Sequence, residues 1–353
     1  IPEESFVTVK LAPSGEQVGH IDEGFLERMK RGDVFVLGGK KYIYLYTRGM
    51  NLYVRATIER SPTIPSWFSE MLPLSFDSAN EINRFRALMK EKLNSKEKKE
   101  EILEFISKHL YLKEKETIKT IYNYFNEQHN FLEIPDSKTI LIEKYKSEKN
   151  YLLFHSMYGR RVNDALSRAL AFLIARAGGR DIEIGINDNG FYLAGEKMKI
   201  EKAINFIKKD NLEEILKEAI EKTDVLARRF RHCATRSLMI LRNYKGRSKT
   251  VGKQQMKSHF LINAVKKITS EFPILREARR EVLEDLMDIS STKKVLEWIE
   301  AGKVKFKIRD TLVPSPFGLN LILQGHTDLI RIEDKQAFLQ RMHQEHLKVI
   351  GGR

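Results

Sequence analysis

The residues best suited to chemistry form a dense run of cations between positions 225 and 270. This interval contains twelve Lys and Arg residues and no Asp or Glu. A guanidinium group bonds two phosphate oxygens at once, so the run predicts contacts to a nucleic-acid backbone rather than to its bases. The residues to which we assign this role are Arg228, Arg229, Arg231, Arg236, Arg242, Lys245, Arg247, Lys249 and Lys253.

Helical spacing predicts that several of these cations share one surface. On a helix from Asp224 to about Tyr244, one stripe holds Arg228, Arg231 and Arg242, and the next holds Arg229, His232 and Arg236. The side chains left to face a core are Leu226, Phe230, Cys233, Leu238 and Leu241.

The alternative is that these arginines pair with acids that follow in the chain, namely Glu277, Glu281, Glu284 and Asp285. The binding interpretation requires the positive charge to stay unneutralised and to face outward.

A second candidate lies at residues 157–164, where a predicted strand ends, Gly159 turns the chain and a helix begins. Arg160 and Arg161, with the unpaired amides of a helix N-terminus, are typical of a phosphate site. The alternative is that Asn163 or Asp164 simply caps the helix.

The third candidate is Trp67, which follows Pro65 in a segment with three prolines between residues 61 and 73. A tryptophan on such a stiff loop can stack on an unpaired base. The alternative is that it fills a core between modules.

Other groups carry no predicted chemistry. The glycine- and lysine-containing stretches 38–41 and 246–250 do not fit the P-loop pattern, so no ATP site is predicted in this chain. His343 and His346 have no third ligand, and Cys233 is the only cysteine, which excludes an internal disulfide or a zinc site built from several cysteines. We predict no catalytic residue and no metal site.

Composition bounds the class of protein. The chain has 353 residues, a net charge of +14 and a hydrophobic fraction of 42%, and its pI is near 9.5. Such a balance favours phosphate-bearing partners in a globular protein. There is no apolar run near the ~20 residues of a membrane span and no signal peptide, so we expect a soluble cytoplasmic protein. The start at Ile1 suggests a fragment.

The periodicity of apolar residues predicts an α+β fold with four segments. Residues 1–75 are expected to form a β-rich module, a small antiparallel sheet or partial barrel. Residues 76–135 predict a helical segment of three amphipathic helices. Residues 136–222 predict an antiparallel sheet with packed helices, including a hairpin at Asn187–Gly190. Residues 223–353 predict a mainly helical basic module.

In order, these landmarks resemble the Lhr (large helicase-related) family of superfamily 2 ATP-dependent helicases. The part resembled is the accessory region that follows the two motor domains and the winged helix. The matching stretches span nearly the whole chain and are residues 32–39, 65–75, 155–170, 228–255, 272–288 and 326–347.

The resemblance implies a parent enzyme that uses ATP and magnesium to move along single strands and to unwind DNA or RNA–DNA duplexes. It implies that this region helps to enclose the tracking strand of DNA or RNA, with Trp67 at a family tryptophan on the nucleic-acid path. The motor domains, with ATP and Mg, and the winged helix are expected to lie outside this chain. Two alternatives are a glycosylase-like DNA-repair domain and a protein-interaction module for an acidic partner.

Overall fold

A computed structural model describes most of the chain. The described residues are 6–22, 25–26, 29–38, 40–57, 72–147, 149–178, 181–241, 243–244, 247–248, 251–326, 340 and 343–344. The chain forms two compact units, each made of two stretches of sequence. The first unit combines residues 1–72 with 220–285, and the second combines 73–219 with 286–353.

The first unit begins with a five-stranded sheet in the order β2-β1-β5-β4-β3. Its strands are β1 Phe6–Leu11, β2 Gln17–Asp22, β3 Val34–Leu37, β4 Lys40–Arg48 and β5 Asn51–Thr57. The sheet is mixed rather than antiparallel as predicted, because β1 runs parallel to β5. Val7 and Val9 alternate with more polar neighbours and are fully buried, which fixes the inner face.

The sheet curls into a half-barrel. A Cβ atom on Gly19 of the edge strand β2 would lie 3.3 Å from Leu37 Cδ2 on the opposite edge strand β3. The inner faces of the strands therefore close on one another around a core that includes Phe35, Tyr42 and Leu52.

Three helices open the second unit, as their apolar periodicity predicts. They are α1 Phe76–Asn94, α2 Lys99–His109 and α3 Lys115–Phe131. Ser75 caps α1 by accepting a hydrogen bond from the Ser78 amide at 3.1 Å. The three helices pack around Met89, Ile106 and Phe125.

Next come two strands, a helix and a hairpin, also as predicted. They are β6 Thr139–Lys146, β7 Asn150–His155, α4 Arg160–Gly178, β8 Glu183–Asn187 and β9 Gly190–Gly195. Phe154 and Phe191 face each other across β7 and β9 with stacked rings 4.3 Å apart. This pair fixes the hairpin on the sheet.

The helices that follow are α5 Ile200–Phe206, α6 Leu212–Ile220 and α7 Asp224–Arg236. A two-residue ladder, β10 Asn243–Tyr244 with β11 Arg247–Ser248, precedes α8 Val251–Ile268. α9 Pro273–Arg280 has proline in its first turn and runs on into a single π-helical stretch, Glu281–Leu286.

The chain then returns to the second unit with α10 Ile289–Glu300, β12 Lys305–Thr311 and α11 Leu319–His326. β12 pairs parallel to β6 and completes a second five-stranded sheet, in the order β12-β6-β7-β9-β8. This sheet is therefore also mixed, not antiparallel. None of the described helices is long and apolar enough to cross a membrane.

Candidate nucleic-acid interface

The arginine-rich helix α7 is shorter than the sequence predicts. Thr223 caps it by accepting from the Leu226 amide, and the helix ends at Arg236 rather than near Tyr244. Leu238, two residues after Arg236, has a φ of 61°, a left-handed conformation that a continuing helix does not allow. Leu238 is consequently 72% exposed instead of facing the core.

The apolar stripe of α7 faces inward up to that break. Leu226, Phe230 and Ala234 are fully buried, and Cys233 is nearly so. Burial in apolar surroundings is the main cause that raises the pKa of the Cys233 thiol. This stripe fixes which arginines can reach solvent.

The arginines of α7 do not share one environment. Arg228 is exposed, whereas Arg231, assigned to the same stripe, is only 5% exposed. A side chain buried to that degree is poorly placed to meet a phosphate in solution. The two-stripe surface predicted from spacing is therefore wrong for Arg231, because the helix turns its flank toward the protein interior.

Arg229 and Arg236 are partly neutralised. Both form ion pairs with Glu281 of the π-helical stretch: Arg229 Nη1 lies 3.7 Å from one carboxylate oxygen, and Arg236 Nη2 donates to the other. Glu281 is 4% exposed. The premise that the charge stays unneutralised thus fails at these two positions, as the pairing alternative predicted for Glu281.

Glu281 carries one negative charge and pairs with two guanidinium groups. The other acids named as candidate partners bond Arg280 of α9 instead. Glu277 accepts from it at 2.8 Å and Glu284 at 3.3 Å, with Asp285 close by. These contacts raise the pKa of the Arg280 guanidinium, with the hydrogen bond that it donates to Glu277 as the largest cause. The same hydrogen bond is the main cause that lowers the pKa of the Glu277 carboxyl, but Glu277 also lies close enough to α7 for the charge of Arg236 to help lower it.

The second half of the basic segment is the helix α8. Lys266 lies 3.0 Å from Glu221, a residue that also bonds Arg279. On the outer side Lys257 and Lys267 are exposed, and Phe260 is 67% exposed. An exposed aromatic ring beside lysines suits contact with a nucleic-acid strand better than packing.

Several predicted contact residues lie beyond the described side chains. For Arg247 and Lys253 only the backbone is described. Those wholly outside the described residues are Trp67, Arg242, Lys245 and Lys249. Their assigned roles stay predictions.

The strand–glycine–helix element at residues 157–164 has the predicted local structure, but its first amide is occupied. Asp188 Oδ1 accepts from the Arg160 amide at 2.9 Å and from the Leu74 amide at 3.0 Å. A carboxylate therefore caps α4 where a phosphate oxygen would bind. The Arg160 side chain remains exposed, and Arg161 is half-buried.

The residues predicted to cap α4 have other partners. The Asn163 amide group donates to the Asn187 carbonyl at 2.9 Å, and Asp164 pairs with Arg168 one turn along the helix. Gly159, at φ +84°, is required because a Cβ atom there would lie 2.5 Å from the Leu74 carbonyl oxygen. The sequence does not reveal that Asp188 caps α4, because Asp188 lies in the turn Asn187–Gly190, where an aspartate is expected for the turn itself.

A buried polar cluster in the second sheet was also missed. Glu143 of β6 accepts hydrogen bonds from the Ser315 hydroxyl and from the Ser315 amide at 2.8 Å, and its carboxylate pairs with His155 Nε2. All three residues are at most 4% exposed. The serine hydroxyl bonds the carboxylate and not the histidine, so the cluster lacks the order of a nucleophilic triad.

Within the described residues no group of three or more His, Cys, Asp or Glu could hold a metal ion.

The cluster of Glu143, His155 and Ser315 ties the loop after β12 to the sheet. Its one sequence signal is a charged residue within the apolar strand β6.

Comparisons with known proteins match the chain to two family descriptions. Residues 134–318 match "DEAD/H associated", and residues 1–64 match "Large helicase-related protein, winged helix domain". The second match corrects the expectation that the winged helix lies outside the chain. The alternating pattern of residues 6–57 predicts β-strands rather than a winged helix, and these residues do form the half-barrel.

Curated relatives resemble the chain over almost its full length. The ATP-dependent helicase Lhr-Core of Methanothermobacter thermautotrophicus is 47% identical over 98% of the chain. The protein of the same name from Saccharolobus solfataricus is 39% identical over 98% of the chain. The chain spans 40% of the length of each of these relatives.

A solved structure shares the fold. The helicase Lhr of Mycobacterium smegmatis, bound to ssDNA and AMP-PNP, superposes with a TM-score of 0.63 at 20% identity. The match covers 74% of this chain and 33% of that protein.

Proposed function

Because the chain belongs to the Lhr (large helicase-related) family and carries its DEAD/H-associated region, we propose that it is a nucleic-acid-binding accessory region of an ATP-dependent helicase. It grips the tracking single strand of DNA or RNA by phosphate contacts from the arginine-rich segment and by stacking of a base on Trp67. ATP and Mg bind to motor domains outside this chain.

One observation carries this proposal: between residues 225 and 270 the chain offers cations and no acid of its own. In the folded protein Glu281 pairs with both Arg229 and Arg236, and Glu221 pairs with Lys266. Arg228, Lys257 and Lys267 are exposed. An excess of cations on a surface attracts a phosphate backbone without reading its sequence.

The M. smegmatis helicase Lhr was solved with ssDNA bound, which supports a single strand as the ligand. The curated relatives are named as ATP-dependent helicases. We extend both properties to the parent of this chain as part of the proposal.

The test is a salt titration of the 353-residue chain with a fluorescein-labelled oligothymidylate, followed by anisotropy. Replacing Arg242, Arg247 and Lys253 together by Gln should weaken binding and reduce the slope of log K against log salt by about 2, since each phosphate contact to a single strand contributes about 0.7. A matched control replaces Arg84, Lys108 and Lys119, which make exposed pairs within α1–α3.

An affinity that does not change with salt would contradict the proposal, and so would an equal loss in the control variant. The alternatives give separate readouts. Alkali-labile breaks after incubation with uracil-containing DNA would indicate a glycosylase-like activity. A protein partner that survives nuclease treatment in a pull-down would indicate an interaction module.

The stacking role of Trp67 has its own control in the second tryptophan. Trp298 lies in a ring cluster with Phe76, 5.8 Å between centroids, so a single strand should not quench it. In a Trp298→Phe variant, fluorescence of Trp67 should be quenched by oligothymidylate. Trp67→Ala should lower affinity by about tenfold, because stacking of one base contributes ~1–3 kcal/mol. An unquenched Trp67 would contradict this role.

A further inference from the structure

The outward face of the first sheet brings aromatic and basic residues together. Lys10 of β1 lies opposite Tyr53 of β5, which in turn lies opposite Tyr46 of β4. Arg48 follows Tyr46 by two residues and Arg55 follows Tyr53 by two, so both project from the same side. We name these five residues the tyrosine face.

The fold itself directs these side chains outward. The intervening positions Val9, Leu52 and Val54 are fully buried in the half-barrel core. Tyr44 is also buried, and two residues along an ordinary strand Tyr46 would point inward as well. The pairing of β4 with β5 shifts register between Tyr44 and Tyr46, and Tyr46 is consequently 40% exposed.

The two rings form a stacking platform. Their centroids are 4.8 Å apart and their planes differ by 16°. Tyr53 is half-buried and supports Tyr46 from one side. The more exposed ring can therefore accept a base on its solvent side, an interaction open to every base because each has a π face.

The charged residues of β1, β4 and β5 are all positive. Lys10, Arg48 and Arg55 make no ion pair within the described residues, and Arg48 and Arg55 are exposed. The carboxylate on this side of β1 and β2 is Asp22, which lies opposite Phe6 at the far end of the strands. The face thus complements a phosphodiester chain on both sides of a stacked base.

We propose that the tyrosine face is a second contact site for single-stranded nucleic acid. One base stacks on Tyr46, and the flanking phosphates are bound by Lys10, Arg48 and Arg55. This inference rests on the proposed function, since it adds a contact to the same class of ligand. It uses none of the residues of the arginine-rich segment, so the two can fail separately.

The experiment measures binding of the full chain to a labelled oligothymidylate of about 30 nucleotides at fixed salt. Tyr46→Ala should weaken binding by about tenfold, as expected for loss of one stacked base. Tyr46→Phe should restore most of that loss, because the ring is kept. Phe6→Ala removes another exposed aromatic of the same sheet side, at its acidic end, and should bind like the unchanged chain.

A photo-crosslink gives a second readout that does not depend on affinity. Oligothymidylate carrying 5-iododeoxyuridine should crosslink to a peptide containing Tyr46, and replacing Lys10, Arg48 and Arg55 by Gln should reduce this adduct severalfold. If Tyr46→Ala binds as tightly as the unchanged chain and no such adduct forms, while the arginine-segment variant is weakened, this inference alone is overturned. If the unchanged chain does not bind the strand at all, the proposed function falls first.

Discussion

Glu143 and Glu281 are both buried carboxylates, but their partners differ. Glu143 accepts from His155 and from two donors of Ser315, and all of these are buried with it. Glu281 pairs with Arg229 and Arg236, whose side chains reach the surface of α7 with 22% and 28% of their area exposed.

The difference shows two uses of one kind of group. In the second unit the polar atoms are fully used to hold a loop on a sheet, so they are not left for a ligand. In the first unit a buried acid pairs with two arginines whose side chains also reach the surface. The strength of the basic surface is thus set by residues outside the basic segment.

The largest expected effect follows from removing the carboxylate of Glu143. Glu143→Ala leaves His155 and the Ser315 donors buried without their acceptor, and the free energy of unfolding should fall by about 3–5 kcal/mol. Urea denaturation of the full chain measures this. Binding of oligothymidylate at low urea should not change.

Glu201→Ala is the matched control, because exposed Glu201 pairs with Lys144 of β6, the strand that carries Glu143. Such an exposed pair contributes about 1 kcal/mol at most. Equal losses for the two variants would remove the distinction between the buried and the exposed carboxylate bonded to this strand.

The next effect concerns Glu281 and sharpens the comparison. Glu281→Gln should lower the free energy of unfolding by about 1–3 kcal/mol, since a charged acceptor for two arginines is lost. It should also tighten binding to single strands and steepen the salt dependence, because the charge of Arg229 and Arg236 is no longer offset. We therefore expect this variant to be less stable and to bind single strands more tightly.

Glu277→Gln makes the same change of net charge close by, but Glu277 hydrogen-bonds Arg280 and acts on Arg236 of α7 only through its longer-range charge. It should alter affinity less than Glu281→Gln. If the two variants tighten binding equally, the effect is one of overall charge, and the specific role of Glu281 is refuted.

Much of this architecture is readable from local patterns, and the exceptions have a common cause. The helices α1–α3 and the hairpin of β8 and β9 follow from spacing and turn residues close in sequence. The parallel pairs β1–β5 and β6–β12 join strands far apart in the chain, so no local pattern marks them.

The features of the candidate site likewise divide into one that the sequence reveals and others that only the folded chain shows. The acid-free segment is visible in the sequence, but the ion pairs that modify it come from Glu281, which is 45 residues beyond Arg236. The stop of α7 before Leu238 and the register shift before Tyr46 depend on backbone geometry. These two features decide which side chains face outward.

A smaller effect is expected at the start of α4. Asp188→Ala removes the acceptor of both the Arg160 and the Leu74 amides, and loss of a helix cap of this kind costs about 1–2 kcal/mol. Amide hydrogen exchange should speed up in peptides covering residues 72–78 and 158–164. Asn189→Ala in the same turn should leave both peptides protected. Unchanged exchange in Asp188→Ala would show that the cap carries little free energy.

The smallest effect is a gain in stability, and it concerns Arg86, a buried cation that has no acidic partner among the described residues. Arg86 is 7% exposed and packs over the ring of Phe317 at 4.8 Å, and burial lowers its pKa to about 10. A base whose pKa is lower in the folded state than in the unfolded state destabilises the fold at every pH below that value, and stability recovers only as the pH rises above it. Arg86→Met keeps the length and apolar character of the stem and should therefore raise the free energy of unfolding at neutral pH by about 1 kcal/mol. If the urea midpoint falls instead, the stacking of Arg86 on Phe317 outweighs the desolvation of the guanidinium group. A buried charge in the second unit would then stabilise the fold without a carboxylate partner, whereas His155 is paired with Glu143.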